Sequence, residues 1–76
     1  MVTRDAVLDG LYDCLTGPDC RAAITQGDAW MDGHPGDDEV RGALEGAVMK
    51  ADGWDVMSEA ERLELQALSD NRKVVD

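Results

Sequence analysis

Seventeen carboxylates, two cysteines and one histidine are the residues of this 76-residue chain best suited to chemistry, and their spacing decides which chemistry to expect. Asp5, Asp9 and Asp13 stand four apart. On a helix that step returns each side chain to one face, so three like charges line up at some cost to the helix. Asp28 and Asp32 repeat the step, and Glu61 and Glu64 lie three apart. Such rows suit either a solvated outer face or a line of negative charge that occupies a basic groove built for phosphates. Acid–base catalysis needs a carboxylate pair in a cleft, and a chain this short has little depth to enclose one.

His34 sits in a Gly-His-Pro-Gly turn, and no serine or cysteine lies in a nucleophile motif, so no triad is expected. Cys14 and Cys20 enclose five residues, a spacing that fits neither the close pairs of zinc sites nor redox motifs. They are expected as reduced core thiols, flanking a helix–helix turn that a bridge would staple under oxidising conditions. Catalytic, metal-ligating and cofactor-binding residues are therefore all read as none, and the chain as a non-enzyme. Trp54, beside Gly53, reads as a loop tryptophan that either lids the core or anchors a partner. Trp30 and Met31 face the same choice, and Met31, Trp54 and Met57 exposed together would form an apolar patch edged by acid. The candidate partner-binding set is Asp5, Asp9, Asp13, Asp28, Asp32 and Trp54.

Two segments resemble known families. Lys50-Ala-Asp-Gly-Trp-Asp-Val-Met-Ser-Glu-Ala-Glu61 resembles the calcium loop of EF-hand proteins, with Asp52 at its third position, Met57 at the eighth, Ser58 at the ninth and Glu61 at the twelfth. Lys50 stands where the first ligand belongs, Trp54 replaces the fifth, and Asp55 replaces the glycine of the sharp turn, so no calcium is expected. A capping box explains Ser58 and Glu61 without metal. The run Ala29 to Leu44, through Asp-Gly-His-Pro-Gly-Asp-Asp-Glu, is similar to a junction between helices in tetratricopeptide-type repeat proteins. That resemblance implies helix-hairpin packing and a bias toward peptide or protein binding, in a chain too short for a true array.

The elements that must position these residues are helices. Val7, Leu8, Leu11, Tyr12 and Leu15 repeat at helical intervals behind a Thr3 cap, predicting a first helix over 3–15. Gly17-Pro18 starts a second, over 18–32, with Cys20, Ala23, Ile24, Gly27 and either Trp30 or Met31 inward. Asp37, Asp38 and Glu39 open a third over 37–51, striped by Val40, Ala43, Leu44, Ala47, Val48 and Ala51. A loop is expected at 52–55, then a fourth helix to about residue 70 with Ala60, Leu63, Ala67 and Leu68 inward and Leu65 widening the stripe. Residues 71–76 read as a frayed tail after a single domain over 1–70. The expected fold is all-α, a compact domain of about four short antiparallel helices.

Composition narrows the partner. Seventeen acidic against seven basic residues give a formal charge of −10, and no basic cluster exists to grip a phosphate backbone, so direct nucleic-acid binding is not expected. The start Met-Val-Thr-Arg-Asp lacks the apolar core of a signal peptide and no run is long enough to span a bilayer, so no membrane association is expected and a cytoplasmic location is. The expectation is an acidic protein-binding module, an inhibitor occupying a basic nucleic-acid-handling surface of a partner protein. In size and charge it is similar to small acidic anti-CRISPR and other anti-defence inhibitors of phages and mobile elements. The alternative is a helical homo-oligomerisation or adaptor domain with apolar contacts, in which charge serves solubility; a homodimer fits that reading.

Overall fold

The computed structural model describes residues 3–75, with side chains as far as Arg72. The chain is all-α: α1 spans Arg4–Asp13, α2 Gly17–Gly33, α3 Asp38–Val56 and α4 Glu59–Val75, and no strand occurs among the described residues. Each start has a local cause. The Thr3 hydroxyl accepts the Ala6 amide, the Thr16 hydroxyl accepts the Asp19 amide ahead of Pro18, and the Asp37 carboxylate accepts the Val40 amide. At α4 the Ser58 hydroxyl accepts the Glu61 amide at 3.3 Å while the Glu61 carboxylate accepts the Ser58 amide at 3.5 Å, the capping box read from the sequence.

Three helices make the core. Val7, Leu8 and Leu11 of α1, Cys20 of α2, and Val40, Ala43, Ala47 and Ala51 of α3 are buried together with Cys14, and Ala23, Ile24, Trp30, Met31 and Leu44 pack around them. Both Trp30 and Met31 therefore face this cluster. Arg4 meets Asp37 and Glu39 while Lys50 meets the Tyr12 carbonyl, which sets α1 parallel to α3. α2 runs antiparallel to both, with Arg21 beside Asp55 at one end and Trp30 beside Asp37 at the other. Small residues allow close packing: Gly27 lies directly under Leu44 and Leu11, and Gly10 faces Ala23.

α3 continues through residues 52–55, where a loop was expected. Gly53 in a helix costs about 1 kcal/mol relative to alanine, yet the Trp54 indole covers Gly17 and Asp55 pairs with Arg21, so tertiary contacts carry the helix to Val56. Cys14 and Cys20 are joined by a disulfide and are not the reduced thiols expected. The corner between α1 and α2 brings their Cα atoms to 5.1 Å, within bridging range.

The largest departure is α4. It runs to Val75, beyond the expected end at 70, so residues 71–75 of the expected tail are helical and Asp76 lies outside the described residues. It turns across the end of the three-helix body where α1 stops and α2 starts, held by Ser69 donating to the Asp19 carboxylate at 2.8 Å and Arg72 donating to the Asp13 carbonyl at 2.9 Å. Arg62 closes the elbow by donating twice to the Met57 carbonyl. Ala60, Leu63, Ala67 and Leu68, expected to face inward, are all exposed. The physical reason is that α1, α2 and α3 bury most of their apolar residues against one another, although Tyr12 and the expected stripe residue Val48 stay exposed, and α4 sits on a polar corner of that body.

Candidate functional site

α4 is built inside out. The residues it turns toward the body, Arg62, Leu65, Gln66 and Ser69, are buried or half-buried, and three of the four are polar. The opposite side carries Ala60, Leu63, Ala67 and Leu68, with Leu63 63% and Leu68 54% exposed. Just before the elbow, Val56 is 85% exposed. Beside this face, Met57, Leu65 and Leu68 floor an open groove edged by Glu61, Glu64 and Asn71. An amphipathic helix normally buries its apolar stripe. Here the stripe is offered to solvent, which marks it as a contact surface. The sequence shows the stripe plainly but not its direction, because the same alternation serves a core or a partner.

The acidic residues separate into two surfaces. Asp5, Asp9 and Asp13 are exposed on the side of α1 away from Val7, Leu8 and Leu11, and span about 12 Å at the helical rise of 1.5 Å per residue. Asp28 and Asp32 are also exposed, but they share a flank of α2 with Arg21, which reaches α3 at Asp55. α1 lies against the other flank of α2, beside Ala23 and Trp30. The α1 row and the α2 pair thus do not converge. Among the described residues, none of these five carboxylates takes part in a hydrogen bond or ion pair. Trp54 lies apart from both rows, half-buried in α3 over Gly17 as a lid on the α2 start, and Met31 and Met57 are half-buried as well, so the patch that would need all three exposed does not form.

A carboxylate absent from the candidate set organises the far end of the body. Asp37 Oδ2 accepts Arg4 Nε at 2.8 Å and the Trp30 indole N–H at 3.2 Å, while Oδ1 accepts Arg4 Nη2 at 3.1 Å and caps α3. The Arg4 guanidinium holds the Asp37 carboxyl well below the usual carboxylate range, and the Val40 amide and Trp30 indole add to that against the opposing effect of burial. The Asp37 carboxylate, followed by that of Glu39, in turn raises Arg4 above its ordinary value. His34 stacks on Trp30 with ring centroids 3.8 Å apart, and its Nδ1 lies 3.0 Å from the Trp30 carbonyl, where it closes α2. The signal for Asp37 was its place before an apolar helical stripe.

The segment that resembles a calcium loop is helical as far as Val56, and no group of three or more metal-ligating side chains occurs among the described residues. No helix among them is long and apolar enough to cross a membrane. Comparison of the chain with family models, with curated proteins and with solved structures finds no match to any of them.

Proposed function

We propose that this chain is a non-enzymatic protein-binding module whose recognition element is the outward apolar face of α4. One observation carries the reading: α4 turns Arg62, Gln66 and Ser69 toward its own body and leaves Leu63 and Leu68 in solvent. Exposed leucines on one helix face gain about 1.5–3 kcal/mol each when fully buried, which a partner surface supplies and the fold does not. Neither cysteine is a free nucleophile, since the two are bridged, which fits the same reading.

A second reading rests on a different observation. Asp5, Asp9 and Asp13 form an exposed, unpaired row, the arrangement a basic nucleic-acid-handling surface would attract, and an inhibitor of such a partner would work through it. Its footprint is the smaller because Asp28 and Asp32 lie elsewhere.

Affinity capture separates the two. Tagged wild type, Leu63→Glu/Leu68→Glu and Asp5→Lys/Asp9→Lys/Asp13→Lys are each incubated at low and high salt with an extract that also holds an untagged copy of the chain. Bound proteins, the untagged copy included, are identified by mass spectrometry. The α4 reading expects capture that persists at high salt and is lost in the leucine variant alone. Capture that vanishes with salt and with the lysine variant transfers the function to the α1 row.

A further inference from the structure

We infer that the occupant of the α4 face is a cationic amphipathic helix of another protein, laid along the trough between Leu63 and Leu68 with Lys or Arg residues against acidic banks on both sides. The inference rests on the α4 reading above and names the chemistry of the partner.

Charge is sorted round α4. At 3.6 residues per turn, successive side chains step round the axis by about 100°. Glu59, Glu61, Glu64 and Asp70, every acidic residue of the helix, fall in the outward arc and are exposed. Arg62 and Arg72 fall in the remaining arc, where they donate to the Met57 and Asp13 carbonyls, and the backbone register puts position 73 in that arc too. Glu59 and Arg62 are three apart, a step at which opposite charges on a helix meet. Arg62 nevertheless turns to the elbow, and among the described residues no ion pair involves α4. The outward arc thus keeps its carboxylates with no base of its own to neutralise them.

The apolar residues of the same arc have a matching shape. Leu63 and Leu68 stand about 140° apart round the axis, and Ala60 and Ala67 occupy the arc between them, all four exposed. Leucine walls with an alanine floor make a trough that accepts the side-chain ridge of a second helix. Glu59 and Asp70 lie outside the Leu63 wall, while Glu61 and Glu64 flank Leu68. Both banks are therefore acidic, and the complementary helix has an apolar stripe with cations on either side. The 17 residues of α4 extend about 25 Å, room for about four turns of such a helix. The groove floored by Met57, Leu65 and Leu68 continues the contact past the Leu68 wall.

The same banks disfavour the other occupants of an apolar face. A second copy brings acid against acid in either orientation, on top of the charge of −10 that each chain carries. An anionic membrane surface meets the same repulsion.

The test is titration of the full chain into a fluorescein-labelled 18-residue peptide of Leu and Lys, with its leucines on one helical face, read by anisotropy. Saturable one-to-one binding is expected. Leu63→Ala/Leu68→Ala and Glu64→Lys/Asp70→Lys each weaken it at least tenfold with an unchanged circular dichroism spectrum, while Asp5→Lys/Asp9→Lys/Asp13→Lys changes it less than threefold. On the wild type, a scrambled peptide of the same composition and a peptide with Glu in place of Lys each bind at least tenfold more weakly. Raising salt from about 50 to 500 mM weakens the complex severalfold without abolishing it, because only the banks are screened. No saturable binding below about 500 µM, equal binding of the scrambled peptide, or a loss in the α1 variant as large as in the α4 charge variant overturns the proposal. So does a chain that ignores the peptide and instead binds phosphatidylglycerol vesicles or a second copy through Leu63. If the peptide fails while capture from extract still depends on Leu63 and Leu68, only the cationic helix is overturned. Capture indifferent to both leucines removes the α4 reading as well.

Discussion

Asp37 joins three elements through two oxygens, and its protonation is therefore a structural event. With its carboxyl held below the usual range by the Arg4 guanidinium, the folded state binds that proton less readily than the unfolded chain does. The sign follows from linkage. A depressed folded value contributes stability that is complete above the unfolded pKa, about 3.9, and is lost as pH falls below it toward the folded value. Urea unfolding of wild type and Asp37→Asn between pH 7 and pH 2.5 should show the wild type more stable at neutral pH. The gap should close only in the acid limb below about pH 4. A gap independent of pH would mean that the charge on Asp37 contributes nothing and that its hydrogen bonds act alone. Trp30 fluorescence supplies a local reading of the same transition, because its indole N–H donates to this carboxylate.

Helix α3 shows how elements are decided by contacts that lie far off in sequence. Gly17 and Gly53 are both helical, but a methyl at Gly17 would overlap the Trp54 indole, while one at Gly53 meets nothing within 4 Å. Gly17→Ala should therefore destabilise the fold by about 1–3 kcal/mol through overpacking and shift Trp54 emission. Gly53→Ala should stabilise it by about 0.5–1 kcal/mol through the restored helix propensity. Thermal denaturation of the two variants decides, and a stabilised Gly17→Ala would show that Trp54 is no lid. The same pair explains what is legible in the sequence. Thr3 as a cap, the Ser58–Glu61 box and the stripes of α1 and α3, apart from the exposed Tyr12 and Val48, are local signals, and each is readable because its cause lies within a few residues. Gly53 reads as a break because what overrides it, the fit of Trp54 over Gly17, involves residues 37 positions apart. The direction of α4 is hidden for a similar reason. Its stripe is genuine, but whether Leu63 and Leu68 turn inward depends on whether three other helices leave room.

At the scale of the whole molecule, shape and charge set the conditions under which α4 works. The extents are 39 × 29 × 15 Å. The Cα radius of gyration is 12.9 Å, against about 11.4 Å for a compact domain of this length. The molecule is flat and its last helix lies across one end. Two copies carry −10 each, and treated as point charges about 25 Å apart they repel by roughly 17 kcal/mol in unscreened water. A screening length of about 8 Å at 0.15 M salt reduces this to about 1 kcal/mol, whereas at 0.01 M, with a length of about 30 Å, nearly half survives. Exposed ion pairs across such a contact contribute only about 0.2–1 kcal/mol each, and salt weakens them too. Repulsion between the net charges therefore outweighs those pairs at low salt, and self-association should tighten as salt is added, by at least tenfold in dissociation constant between about 10 and 150 mM. Binding of a basic partner by Asp5, Asp9 and Asp13 has the opposite dependence, because there salt screens an attraction. Light scattering of the purified chain across that salt series thus reads the sign directly: a mass that grows with salt means an apolar contact opposed by net charge, and a mass that falls as salt is added would mean that charge attraction, not an apolar face, holds the copies together.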